Sequence, residues 1–349
     1  MKLEKLGLLA LCSMFVLSAC KKDDDGGGTI TPPRDRAEQQ ITDDAALQEY
    51  LNSHYYNAVE LSNITDASIS DIKITALAEG ETEAPADHVM LADAVEDHDV
   101  VYAEADYVYY ILRIRPGGGS ESPTFADNVR LLYEGFKADG KVFDSAPNPV
   151  TFDLTQLIPG WRKVIPQFNT ALFPPQENND GTVDYIDGGL GVMFLPSGLA
   201  YFNNATSGIS AYTPIMFKFE LLQTFQNDHD NDGIPSYLED INGDGEFTIS
   251  SVSGVSDDDT DNDNIPNYAD TDDDADRLPT IEELESITYM VDTNVGETEP
   301  VLDAEVEFLV SRDDNGGVIT IKTLKIVDSN NDDLGDHLDK DIAIRNRTN

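Results

Sequence analysis

VRLLYEGFKADGKVFDS (Val129–Ser145), LIPGW (Leu157–Trp161), LPSGLAYF (Leu195–Phe202) and IMFKFELLQTF (Ile215–Phe225) follow one another in fixed order between Asn128 and Phe225. A lone YEG or LAY says little, but the ordered set is specific. Just upstream, YVYYILRIR (Tyr107–Arg115) is rich in aromatic and β-branched residues and runs into PGGGSESP, which predicts a strand ending in a loop.

Together these motifs resemble the FKBP-type peptidyl-prolyl isomerases. The resemblance implies an α+β domain over 103–225, an FKBP-like antiparallel half-barrel sheet wrapped on a short helix, acting on proline-containing polypeptides. The barrier to rotation about a peptide bond is roughly 18–20 kcal/mol. A dry apolar pocket favours the less polar twisted amide, so catalysis needs no nucleophile, cofactor or metal. By the same resemblance Tyr133, Phe143 and Phe217 would form aromatic walls, with Asp144 as acceptor and polar anchor. Leu157 and Ile158 would line the pocket, Ile158 with its backbone amide exposed, and Trp161 would be the floor. Tyr201 would donate its hydroxyl to the substrate carbonyl, and Ile209 would sit on the lip. The chain departs from the family pattern at Val150, two residues before Phe152, at Phe202 after the loop tyrosine, and at Ser210 and Ala211 in place of two prolines. It also carries an insertion at about 169–188, readable as a lid or a partner surface. A non-catalytic binding or chaperone-like protein is the competing expectation.

Working outward, MKLEKLGLLALCSMFVLSAC reads as a signal peptide over 1–19, too short for a lasting membrane span. LSAC resembles a bacterial lipobox, which implies lipid attachment at Cys20 and a membrane-anchored protein of the cell envelope, expected at the outer membrane. Cys12 and Cys20 are the only cysteines, so no internal disulfide survives cleavage. Residues 20–37 are polar and rich in Gly, Pro and charge, a tether that cannot bury enough apolar surface to fold. Residues 38–102 read as an N-terminal α+β extension that packs on the following domain. Within it a short helix is expected over about Thr42–Asn57, placing Leu47, Tyr50 and Leu51 on one face.

The net charge is −45, from 67 acidic and 22 basic residues, which argues against nucleic acid as a partner. From Gln226 onward 34 acidic residues face 7 basic ones, so the acidity is regional. The cause is a repeat: DHDNDGIPSYLE (Asp228–Glu239), DTDNDNIPNYAD (Asp259–Asp270), DDDADRLPTIEE (Asp272–Glu283) and DSNNDDLGDHLD (Asp328–Asp339). Positions one, three, five and twelve hold Asp228, Asp230, Asp232 and Glu239, then Asp259, Asp261, Asp263 and Asp270. The third and fourth copies place there Asp272, Asp274, Asp276 and Glu283, then Asp328, Asn330, Asp332 and Asp339. Oxygen ligands at alternate positions with a distal carboxylate suit a hard cation, so structural Ca²⁺ is expected over 226–349. Proline at position eight in three copies argues against paired EF-hands, where that residue donates an N–H. The repeats resemble thrombospondin type 3 modules instead, an irregular fold around calcium. DINGDGE (Asp240–Glu246) is a further, incomplete match, and AEVEFLVSRDDNGGVITIKTLKIV predicts a hairpin turning near Asp313–Gly317.

Overall fold

The computed structural model describes residues 32–250 and 257–347. The signal-like segment, Cys20 and most of the tether lie outside the described residues. From Asp35 onward the chain forms one compact unit. Among the described residues no helix is long and apolar enough to cross a membrane.

The first helix, α1, spans Arg36–Ser53 and starts before the expected Thr42, because the Asp35 side chain accepts from the Glu38 amide and caps it. Leu47, Tyr50 and Leu51 form its buried face. Short strands β1 (His54–Tyr56), β2 (Ile74–Ala76) and β3 (Val89–Met90) make a small antiparallel sheet in the order β2-β1-β3, with α2 (Ala58–Ser62) between the first two.

The main sheet contains β4 (Glu96–Tyr102), β5 (Ala105–Arg115), β6 (Asn128–Phe136), β7 (Val142–Asp153), β10 (Gly189–Leu195) and β11 (Ile215–Phe225), in the order β4-β5-β10-β11-β6-β7. A two-stranded hairpin, β8 (Gln176–Glu177) with β9 (Val183–Asp184), occupies the insertion. The edge strand β4 lies within the stretch expected to be an extension, yet it pairs with β5 from Glu96 to Tyr102.

Strand β10, GLGVMFL, is buried along its whole length, as an uninterrupted apolar run requires. Its Leu190, Val192 and Phe194 pack against Leu47, Tyr50 and Leu51 of α1, while Met193 and Leu195 face α3 (Pro159–Val164) on the opposite side. The sheet is therefore wrapped on one short helix, as expected, and also covered on its other face by α1.

Beyond β11 come the first three acidic loops, the third of which ends in α4 (Thr280–Glu283), then a second antiparallel sheet of β12 (Glu285–Asp292), β13 (Glu307–Asn315) and β14 (Val318–Lys325), ordered β12-β14-β13, and then the fourth acidic loop. The expected hairpin is β13–β14, turning at Gly316 and Gly317, to which β12 adds a third strand. Phe308 and Leu324 of this sheet close a small core with Ile234 of the first repeat and Leu284. The sheet thus supplies the apolar surface that the acidic loops lack.

Candidate functional site

Tyr133, Trp161, Ile209 and Phe217 are buried in one cluster, with Phe143, Leu157, Ile158 and Tyr201 packed against it at partial exposure. The rings meet at an angle: Trp161 lies 5.0 Å from Phe217 and 5.9 Å from Tyr133, and Phe143 lies 5.4 Å from Phe217 at 84°. Edge-to-face contacts of this kind favour a fixed wall over a collapsed stack. Gly135 of the YEG motif makes the wall possible, because a Cβ there would stand 2.6 Å from the Phe217 ring and 2.7 Å from that of Phe143. Phe152, two residues after Val150, contributes a further ring 5.7 Å from Tyr133.

The Tyr133 hydroxyl donates to Asp144 Oδ2 at 2.7 Å. Burial, then that hydrogen bond and the Asp144 charge, raise the Tyr133 hydroxyl well above the usual phenol range. Burial, with the Asp144 charge as a smaller cause, also raises Tyr201. Both hydroxyls therefore stay protonated at neutral pH and able to donate. Trp161 is only 4% exposed and Ile209 3%, both within the same buried cluster.

Tyr201 follows the 3₁₀ turn Ser197–Leu199, and α1 holds that turn from behind. Buried Asp43 accepts from the Ser197 amide at 2.7 Å and from its hydroxyl at 2.6 Å. Arg36 donates to the Gly198 carbonyl and the Tyr107 hydroxyl, with its guanidinium 4.3 Å from the centre of the Phe202 ring. Replacing Asp43 leaves buried donors unpaired, at a cost of about 1–3 kcal/mol. Asp43→Ala is expected to lower the urea midpoint without changing the m-value, while Asp43→Asn recovers part of the loss. An unchanged midpoint in Asp43→Ala would show that α1 does not hold the loop.

The C-terminal region seats against α3. Arg162 and Lys163 in its last turn both pair with Glu246 of the DINGDGE loop, Lys163 at 2.9 Å. Arg162 also donates to the carbonyls of Thr155 and Leu157, next to Ile158. His229 lies 3.1 Å from Asp153, whose other oxygen accepts from the Thr155 amide. The segment that carries Trp161 is thus bonded to the first acidic loops. By contrast, Asn169, Thr170 and Ala171 at the start of the insertion donate to Pro116, Glu121 and Leu222, at the far end of β5 and β11 from Phe217. The insertion is not placed as a lid.

All four acidic repeats wind alike. The position-nine amide donates to the carbonyl just before the repeat: Ser236 to Asn227, Asn267 to Asp258, Thr280 to Thr271 and Asp336 to Val327. The position-nine side chain accepts from the position-two amide in each copy. Positions four and six have positive φ, at Asn231 and Gly233, Asn262 and Asn264, Ala275 and Arg277, and Asn331 and Asp333. Asn and Gly tolerate that region at little cost. DINGDGE repeats the pattern, with positive φ at Gly243 and Gly245 and the Gly245 amide donating to Asp240.

In the first repeat the acids divide their oxygens. Asp228 Oδ2, Asp230 Oδ1 and Asp232 Oδ1 accept from the amides of Gly233, Asp232 and Ile234, while Asp228 Oδ1, Asp230 Oδ2 and Asp232 Oδ2 are buried without a partner. Asp274 and Asp276 of the third repeat divide theirs the same way, and both Glu283 oxygens are buried and unpartnered. Carboxylates cluster within 4.8 Å at Asp228, Asp230 and Asp232, at Asp259, Asp261 and Asp263, and at Asp272, Asp274 and Asp276. Inward-facing unpaired oxygens are the donor set a hard cation takes, so the residues fit Ca²⁺. The fourth repeat differs: the Asn330 amide reaches Asp332 and Asp339 at 3.0 and 2.9 Å and fills its centre.

Sequence reasoning passed over the position-nine side chains, although Ser, Asn, Thr and Asp there were a readable signal. Asp43, Glu246 and Asp273 carried none, since their partners are remote in sequence.

The central region is a mixed α/β structure built on antiparallel strands, with a cluster of aromatic side chains against one face of its sheet. A family model described as FKBP-type peptidyl-prolyl cis-trans isomerase matches residues 119–171, and another described as BamM C-terminal matches residues 229–300. A probable FKBP-type peptidyl-prolyl cis-trans isomerase FkpA of Neisseria meningitidis serogroup B is 36% identical over 92 residues, covering 26% of this chain and 28% of that protein. FkpA of Aeromonas hydrophila is 25% identical over 269 residues, covering 62% of this chain and 93% of that protein. The outer membrane protein MIP of Legionella longbeachae is 31% identical over 114 residues, covering 32% and 42%. The chain thus spans less than half of the Neisseria and Legionella relatives. The FKBP-type family is supported by that model and these relatives.

Proposed function

We propose that the sheet domain catalyses cis-trans isomerisation of X-Pro bonds in envelope or surface proteins and so assists their folding. The observation that carries this reading is the convergence of the Tyr133–Asp144 hydrogen bond and the Tyr201 side chain on an aromatic wall of Phe143, Trp161 and Phe217. The wall receives the prolyl ring, with Leu157 and Ile158 at its side. Low polarity around the bond favours the twisted amide, whose carbonyl has lost resonance. The Tyr201 hydroxyl, kept protonated, donates to that carbonyl, and the Ile158 amide donates to the substrate backbone. No covalent step is required.

The acidic loops would hold calcium at Asp228, Asp230, Asp232 and Glu239 and at the matching positions of the second and third repeats, where an ion would neutralise the converging carboxylates. Because Glu246 and His229 touch the segment around α3, the region braces the pocket from behind. Lipid attachment at Cys20 anchors the protein in the envelope.

Turnover of a proline-containing model peptide tests the reading. Tyr201→Phe removes one hydrogen bond, about 0.5–1.5 kcal/mol, so kcat/KM is expected to fall roughly 2- to 12-fold. Isomerisation by the wild type at the uncatalysed rate would falsify the enzyme reading. The second reading is a non-catalytic binder, favoured by the departures from the family pattern at Val150, Phe202, Ser210 and Ala211.

A further inference from the structure

Asp273 stands at position two of the third repeat, outside the ligand spacing, and is 2% exposed with neither carboxylate oxygen partnered. It faces the first repeat, not its own loop: oxygens of Asp273, Asp232 and Glu239 lie within 4.8 Å of one another. Asp232 is 1% exposed and Glu239 2%, and both Glu239 oxygens are also buried without a partner. Asp232 belongs in addition to the cluster with Asp228 and Asp230. Five acidic side chains thus converge where one divalent ion would leave a net charge of −3, and among the described residues no Lys or Arg salt bridge reaches them. Unpaired charges buried at this depth are very costly unless a cation compensates them.

We propose that Asp273, Asp232 and Glu239 form a divalent-cation site that clips the third repeat onto the first, beside the ion held within the first loop. Carboxylate oxygen alone lines it, so its ligand is a hard cation of the calcium type, and the shared Asp232 and Glu239 couple the two ions. The clip joins segments otherwise separated by the second repeat, and through His229 it fixes the array against Asp153. It rests on the reading that the repeats bind calcium.

The test uses the full chain with calcium alone as the probe, comparing wild type with Asp273→Asn. Removing a buried carboxyl that must either stay charged or take up a proton should make the variant melt higher than wild type in EDTA. In saturating calcium it should bind one equivalent fewer and gain less on loading, with the remaining half-saturation shifted upward by about tenfold at most. Equal stoichiometry and equal gain in the two proteins would overturn the clip while leaving calcium binding intact. No calcium response in the wild type would overturn the underlying reading instead. Should Asp273→Asn fail to fold, hydrogen exchange on the wild type decides. Amides at Ile234–Asp240 and Thr271–Asp276 must gain protection over one calcium range, and protection of the first segment alone overturns the clip.

Discussion

Chelated with EDTA, the protein is expected to be less stable at pH 8 than at pH 5, and calcium is expected to reverse that order. Burial, then the charge of neighbouring acids, pushes Asp273 up to about 10 and Glu283 up to about 9, and raises Glu239 in the same direction. In the unfolded chain these groups titrate near 4. Between that value and the folded ones, the folded state holds protons that the unfolded state has lost. Stability is therefore full below about pH 4 and falls as pH rises toward 9–10, with a combined change on the order of several kcal/mol. His337 opposes this below its usual value near 6.5, because burial pushes it down to about 4 and its charging destabilises the folded state in acid. The acids outnumber it. Calcium changes the sign, since ligands must be deprotonated to bind, so its affinity grows with pH. At a calcium concentration a hundred times Kd, one site restores about 2.7 kcal/mol. Thermal melts at pH 5 and pH 8, with and without calcium, measure all four states. A chelated protein that melts higher at pH 8 than at pH 5 would show that the carboxylates already have compensating partners.

The second large effect is expected from Asp144→Ala, with kcat/KM on a proline peptide falling roughly 10- to 150-fold. Asp144 is the charged acceptor of the Tyr133 hydroxyl, and hydrogen bonds to charged groups contribute about 1.5–3 kcal/mol, which sets that range. Its charge also acts on Tyr201, the proposed donor to the substrate carbonyl. The side chain lies at the surface, so the fold should survive and the melting temperature should move little. Tyr133→Phe removes the other half of the same bond. If the two act as a unit, the double variant should be little worse than Asp144→Ala alone. Additive losses would mean that Asp144 acts directly on substrate and not by orienting Tyr133, and undiminished turnover in Asp144→Ala would remove it from the mechanism.

The aromatic cluster was legible because its residues fall in short motifs. VFD supplies both the Phe143 ring and the Asp144 acceptor, and YEG pairs the Tyr133 ring with the glycine that makes room for Phe143 and Phe217. Strand β4 was less legible. Its sequence, EDHDVVY, is acidic and its buried face weak, as suits an edge strand exposed along one side. Strand β12 was overlooked for a similar reason, since ESITYMVD buries only Val291 fully and owes its place to pairing with β14. The start of α1 at Arg36 was hidden because the tether runs straight into it, with Asp35 as cap and no apolar stripe before Leu47.

The winding of the acidic loops was determined by the sequence itself. Their hydrogen bonds join residues two, five, seven or nine apart, so spacing alone specifies where Asp, Asn and Gly must fall. The order of the pocket motifs was likewise set by the chain. The tertiary structure decided what stands behind those motifs: Asp43 under Ser197 across 154 residues, Glu246 on Arg162 across 84, and Asp273 inside the cage of the first repeat. A contact between near neighbours costs little chain entropy and leaves its mark in local spacing. One between remote segments exists only after strands and helices have packed, when burial removes water and makes an unpaired charge intolerable.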